Sequence, residues 1–448
     1  MQKLVWLLPV VFIVSCSQTA LPQASAKTQG GTLQAQGARK IAAPAPTPTA
    51  TGRSFYLDCA GNDKASGTSA GTALRTLNRV SGLSLLAGDR VLLKRGCTFT
   101  GSLVAKSSGT AASPIVYTAY GEGAAPTIVL NTDAEAVLVG GNYLVFDGLN
   151  VTSTRPAPAG TGKCANTPVA WRVGFAVTGQ YNTVQNSSAS GFMAGVHLMA
   201  GANNNRVLGN TLTNNNVMKK NTAGVYDDDS GAWGVLVNSN GNEVANNTFS
   251  GNWACSEDYG VDGASVELYE ASGNNVHDNL STEDMTFTEL GGTPTSQSEN
   301  NTFAYNTYAP VKAGGAMIVL RGTKSKWGGN PGTVFHHNVG YMVDTGIICS
   351  DGCGPSVLKA HDNVLWQRGA ASGIVPAANM TPMWADAPFT EYNNVFWKTG
   401  GRPYVSIDGG QLSATDRITD PLFVDPVALN FTSRLSPVVL ATARSRTR

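Results

Sequence analysis

One short unit recurs from residue 181 onward: a polar residue, a Val or Phe two places later, and an Asn three places after that. Copies read "NNRVLGNT", "GNEVANNT", "GNNVHDNL", "NNTFAYNT" and "GTVFHHNV", with "YNTVQNSS", "FTEYNNVF" and the weaker "LKAHDNVL" as further members. The recurring Asn falls at 210, 247, 279, 306, 338, 363 and 394, at intervals of 25 to 37 residues. Between these sites apolar residues alternate over four to six positions ("GVLVN", "SVELY", "AMIVL"), bounded by Gly and Asn. That period excludes a helical repeat and fits short strands separated by turns. Strands repeating at this interval are the signature of a parallel β-helix, in which no coil buries its apolar face alone and neighbouring coils bury it together. Asn at one turn of every coil tolerates a left-handed backbone and extends its amide along the stack. The repeats imply about ten coils, with insertions emerging as loops.

The remaining sequence frames that domain. "MQKLVWLLPVVFIVSCS" joins Lys3 to an apolar run far shorter than the roughly 20 residues of a membrane span, so residues 1–15 are read as a secretory signal. Its ending, "IVSC", resembles a bacterial lipobox, which implies lipidation of Cys16 and a cell-surface or periplasmic lipoprotein, with plain secretion as the alternative. Residues 16–53, rich in Ala, Thr, Pro and Gln, are read as a tether, residues 54–437 as the folded domain and 438–448 as an irregular tail.

Setting Cys16 aside leaves six of the seven cysteines, an even set that points to disulfides in an exported chain. Order alone does not choose among the 15 possible connectivities; the expected pairs are Cys59–Cys97, Cys164–Cys255 and Cys349–Cys353. A net charge of +1 with 14% charged residues gives no nucleic-acid surface.

The opening stretch "FYLDCAGNDKASGTSAGTALRTLNRVSGLSLLAGDRVLLKRGCTFTGSL" resembles the first module of right-handed parallel β-helix proteins of the pectate-lyase-like superfamily. The resemblance implies that "ALRTLNRVSGL" forms a short helix capping the open end of the stack. "DPLFVDPVALNFTSRLSP" resembles their closing segment, whose usual pattern ends after Pro437. The class expected is therefore all-β: a right-handed parallel β-helix with a short N-terminal capping helix.

Aligning coils on the Asn places "SVELYEAS", "FTELGG" and "MIVLRG" on equivalent strands. With Val266, Leu268, Ile318 and Leu320 inward, Glu267, Glu289 and Arg321 point outward, in one column. Adjacent strands lie about 4.8 Å apart, so two stacked carboxylates must share a proton or a cation. The bland alternative is a solvated polar face. Loops around these coils bring Asp227, Asp228, Asp229, Glu257, Asp258 and Asp262. Glu267, Glu289, Asp262 and Asp258 form the expected calcium set, since calcium takes six to eight oxygens. Trp233, Trp253, Tyr259, Tyr269 and Trp327 offer faces for sugar rings.

"GGAMIVLRGT" resembles the arginine-bearing strand of the alginate lyase and chondroitinase B group. That resemblance implies acidic calcium ligands and a catalytic lysine one coil earlier; Glu289 and Arg321 match in order, but the lysine position falls near Gln297. Lys312 or Lys324 is then the expected base, with Lys326, His277, His336 and His197 as further nearby groups. The leading expectation is a monomeric lyase cleaving a uronate-containing polysaccharide by β-elimination, with Arg321 neutralising the developing enolate. Hydrolysis by paired carboxylates, Glu267 with Asp262 or Glu289, and non-catalytic glycan binding or a structural role are the alternatives.

Overall fold

The computed structural model describes residues 52–154, 162–224, 226–373 and 377–435. The expected signal segment, Cys16, nearly all of the tether and the tail after 437 lie outside the described residues. Among the described residues three parallel sheets hold 12, 11 and 12 strands. Successive strands visit them in a fixed order, as in Leu144–Asp147 in the first sheet, Asn150–Ser153 in the third, Val173–Val177 in the second, and Thr183–Gln185 back in the first. This is a parallel β-helix. The strand number exceeds the expected ten coils because strands such as Arg90–Lys94 and Ile115–Tyr120 stack in the same sheet without the Asn unit.

The repeated Asn marks the corner between the first and third sheets. The residue before it adopts positive φ, 57° at Asn246, 54° at Asp278 and 57° at Tyr305, and the Asn itself turns inward and is fully or almost fully buried. Asn247, Asn279, Asn306 and Asn338 then form a ladder, each Nδ2 donating to the next Oδ1 at 3.0–3.1 Å. Each Nδ2 also donates to a backbone carbonyl, as Asn306 does to Val276 at 2.9 Å, so the buried amides are satisfied. The other two corners carry their own ladders, Asn205–Asn242–Asn274–Asn301 and Asn215–Asn252–Asp284. Val207, Val244, Val276, Phe303 and Phe335 stack in register inside the first sheet with no exposed surface.

A helix spans Leu77–Ser81, with the Thr76 hydroxyl accepting the Arg79 N–H at 3.2 Å and Leu77 and Val80 in the core. It is shorter than the expected 73–83 because Leu74 forms a single parallel bridge to Leu57, holding the residues before the helix extended. Near the C-terminus, strands Phe423–Asp425 and Asn430–Ser433 pair antiparallel and set Phe423 and Phe431 against Tyr341 and Val395. The structure joins Cys59 to Cys97, Cys164 to Cys255 and Cys349 to Cys353, the three expected pairs, which suit an oxidising compartment. Among the described residues no helix is long and apolar enough to cross a membrane.

Candidate active site

In the second sheet Leu236, Glu267, Glu289 and Val319 occupy one outward column, in register from strand to strand. The two carboxylates are thus direct cross-strand partners, as the alternation required. Their flanking column members are apolar, and Trp233, Leu236, Ala264 and Val217 form a covered cluster on this outer face. The bland expectation of a solvated polar wall fails here: loops and apolar side chains cover the sheet around the pair.

Arg321 departs from the expected column. Val319 is the register partner of Glu289, so Arg321 lies two residues further along its strand, on the same face. Its side chain is only 2% exposed and reaches back, with Nη2 donating to Glu289 Oε1 at 2.5 Å and Nη1 to the Leu290 carbonyl at 2.8 Å. Among the described residues its buried Nε has no hydrogen-bond partner. The guanidinium is therefore engaged by Glu289 and the backbone, and presents no exposed fork to a ligand carboxylate.

A cleft of about 400 Å³ opens over this pair. Loops entering the second sheet, carrying the strand pairs Met218–Lys220 with Ser230–Gly231 and Ala254–Ser256 with Gly260–Asp262, contribute Lys219, Asp227, Tyr259 and Asp262 to its lining. The segment leaving the sheet after Arg321 contributes Trp327. Lys326 on that segment pairs with Asp227, which also accepts the Tyr259 hydroxyl at 2.9 Å, so the loops that line the cleft are linked to one another.

Burial pushes the Glu267 carboxyl well above the ordinary glutamate range, and the nearby Glu289 and Asp262 push it further. The Trp233 Nε1–H, donated to Glu267 Oε2 at 2.9 Å, and the charge of Arg321 act in the opposite direction without prevailing. Asp262 is raised for the same reasons, burial first and Glu289 second. The pair is consequently unequal: Glu267 tends to keep its proton, while Glu289 carries the guanidinium partner.

Of the other expected residues, Trp233, Tyr259, Tyr269, Trp327 and Asp262 line the cleft with Glu267, Glu289 and Arg321. Lys312, Lys324 and Trp253 do not. Lys312 is exposed on a turn whose backbone N–H binds Glu283, Lys324 lies along Gly352, and Trp253 is 40% exposed. Gln297, where the lysine was sought, is exposed on a loop. Asp258 is also outside the lining, its carboxylate accepting the backbone N–H groups of Tyr226, Asp228 and Asp229. It shapes a loop rather than facing a ligand. Glu257 likewise accepts the Cys164 N–H at 2.7 Å. His277 and His336 end strands of the first sheet, away from this cleft.

His197 is brought in from two coils earlier, by register with Leu236 and so with Glu267. Its Nε2 contacts Asn238 Oδ1 at 2.7 Å, and burial lowers its pKa to about 4, leaving a neutral ring. Extending the alternation back through "GVHLM" places it in the column; Lys219 comes from an inserted hairpin and has no such signal.

Neither a protein-family model nor a curated protein sequence matches the chain. Solved structures do. The Dettilon tailspike protein superposes with a TM-score of 0.57 at 12% identity, covering 82% of this chain and 67% of its own. A rhamnogalacturonan lyase superposes at 0.51 with 12% identity, over 88% of this chain and 97% of its own. An alginate lyase from a Paenibacillus strain gives 0.44 at 17% identity, over 72% and 95%. The fold shared with the tailspike protein and the rhamnogalacturonan lyase is the parallel β-helix.

Proposed function

We propose that the protein is an exported glycoside hydrolase, with Glu267 as general acid and Glu289 as the carboxylate that attacks or activates water. The observation that carries this reading is the in-register Glu267–Glu289 pair with unlike partners, Trp233 on one and Arg321 on the other. Hydrolysis of a glycosidic bond needs one proton-bearing and one ionised carboxyl. The strand spacing of about 4.8 Å favours the roughly 5–5.5 Å separation of double displacement over the wider gap of a single displacement. In that sequence Glu267 protonates the leaving oxygen while Glu289 bonds to the anomeric carbon; water, deprotonated by Glu267, then releases the sugar.

β-Elimination, the leading expectation from sequence, is less well served. A uronate carboxylate entering the cleft meets Asp262, Glu267 and Glu289, while the cation meant to neutralise it is taken by Glu289. Neither lysine expected as base reaches the lining. With Arg321 held by Glu289 no free guanidinium is offered to a uronate, which favours an uncharged sugar at the cleavage position, with Tyr269 and Trp327 as its apolar faces.

Calcium does not fit the four residues expected to hold it. Asp258 is consumed by backbone donors, and Glu289 by Arg321, leaving too few converging oxygens for six to eight ligands. No step is assigned to the ion, and a calcium chelator is expected to leave activity unchanged. We further propose a monomer of right-handed coils, the hand that parallel crossovers adopt in nearly every case, tethered outside the cytoplasm through lipid on Cys16.

The deciding experiment incubates the protein with neutral and uronate glycans, following new reducing ends and the ultraviolet absorbance of unsaturated ends. Reducing ends without unsaturation, lost in Glu267→Gln, support hydrolysis. Unsaturated products restore elimination, and binding without cleavage assigns a lectin-like role.

A further inference from the structure

A second cluster of chemistry-bearing side chains lies at the corner between the first and third sheets, whereas the cleft lies on the second. There "FHHN" (335–338) stacks on "AHDN" (360–363), with His336 in register with His361. We propose that His337, His361 and Asp362 bind a divalent cation of the zinc class, with His336 beside them as a fourth donor. One ligand atom from each of His337, His361 and Asp362 lies within 4.8 Å of the others, and the two Nδ1 atoms of His336 and His337 are 2.9 Å apart.

Three features separate this cluster from a ladder of stacked rings alone. The rings are held before any ligand arrives: His361 is sandwiched between His336, at 5.1 Å and 4°, and Tyr392, at 4.7 Å and 8°. Tyr305 packs against His337 at 5.0 Å. The facing Nδ1 atoms of His336 and His337 share one hydrogen at most, so one of them is an acceptor whose lone pair a cation can take in place of that hydrogen.

The third feature is a contrast within the same column. His277, two coils earlier, sits between Glu243 Oε1 at 3.1 Å and Asp278 Oδ2 at 2.8 Å, and those acids raise it to about 9, a charged ring in an ion pair. His336 and His337 face imidazoles instead, and the one carboxylate there, Asp362, meets His361 Nδ1 through Oδ2 at 2.7 Å. One corner position thus sets a single histidine between two carboxylates, and two coils later the same corner gathers three imidazoles around a single carboxylate.

Imidazole with carboxylate suits zinc and its transition-metal neighbours, whereas calcium and magnesium take oxygen sets. The ligands come from adjacent coils, so the ion cross-links them and stabilises the folded chain by mass action.

The test uses the full chain stripped of metal by dialysis against chelator. Zn²⁺ is titrated by calorimetry and Co²⁺ by visible absorption, and melting is followed with and without Zn²⁺. One saturable site per chain, a four-coordinate Co²⁺ spectrum and a raised melting temperature are expected. His337→Asn, chosen because Asn tolerates the φ of 57° there, weakens binding by about tenfold or more, and Asp362→Asn does the same. His277→Gln leaves affinity unchanged. The absence of saturable binding, or equal affinity in wild type, His337→Asn and Asp362→Asn, overturns the site. Far-ultraviolet dichroism of the metal-free variants establishes that they are folded, and should His337→Asn not fold, Asp362→Asn decides.

Discussion

Two columns of identical polar side chains run along this β-helix, and they obey opposite rules. In the corner ladder, Asn279, Asn306 and Asn338 repeat from coil to coil, and each amide donates to one neighbour and accepts from the other. On the second sheet, Glu267 and Glu289 repeat in the same way, but a carboxylate only accepts, so stacking leaves charge against charge. Amide repetition builds the scaffold. Carboxylate repetition strains it, and the strain is tolerated where one acid keeps a proton and the other takes an arginine, as at sites where reactivity is set by environment.

The largest expected effect breaks the carboxylate column. Glu267→Gln is predicted to lower the hydrolysis rate by about 10²- to 10⁴-fold, about 3–5 kcal/mol in barrier, while raising the melting temperature at neutral pH, because the folded chain no longer has to hold a proton that the unfolded chain releases. The alkaline limb of the wild-type rate profile should follow Glu267, activity falling as pH rises through its elevated pKa. A variant that loses activity and stability together would place Glu267 in the scaffold instead.

Breaking the amide column should do the reverse. Asn306→Ala strands the Asn279 backbone N–H and removes one partner each from Asn279 Nδ2, Asn338 Oδ1 and the Val276 carbonyl, at a cost of about 3 kcal/mol, read as a lower denaturation midpoint. The rate per folded molecule should stay unchanged. Both halves of the comparison are exposed to the same pair of measurements.

The amide ladder was legible in the sequence because a buried amide must recur at the same place in every coil, and "GNEVANNT" and "GNNVHDNL" write that place out. Glu267 and Glu289 were legible for a related reason: period-two alternation fixes which face a residue takes once its neighbours are apolar. The position of Arg321 along its strand was not. Alternation makes residues two apart equivalent, so Val319 and Arg321 both face outward, and only the register with Glu289 chooses between them. The loops were least legible. Asp258 and Lys312 look like ligands and base by composition, yet backbone donors hold the first and the second stands on an exposed turn.

Asp284 tests a case between the two columns, a carboxylate at the end of an amide ladder. It accepts from Asn252 at 3.2 Å and from the Ser265 hydroxyl at 2.6 Å, and burial raises it from 3.8 to about 7. Below the ordinary aspartate range both folded and unfolded chains are protonated and nothing is lost. Above it the unfolded chain ionises while the folded chain holds its proton, so the stability contribution of this group falls as pH rises to about 7 and levels off beyond. Asp284→Asn should flatten that slope in denaturation midpoints measured from acid to neutral pH. A slope identical to wild type would mean that Asp284 is not its source.

The smallest expected effect lies at the roof of the cleft, where Lys326 pairs with Asp227 across the loops. The lysine side chain is 66% exposed, and exposed pairs contribute about 0–1 kcal/mol, so Lys326→Ala should leave the melting temperature almost unmoved. Its consequence belongs to access. Should the linked loops cross the path of a polymer to Glu267 and Glu289, a long glycan must part them or enter by its end, whereas a short glycoside need not. Lys326→Ala should therefore increase internal cuts in a polymer, seen as a faster fall in viscosity per reducing end released, while cleavage of a short glycoside stays constant. If viscosity and reducing ends change in the wild-type proportion, the bridge does not control entry, and the carboxylate column alone sets what the cleft accepts.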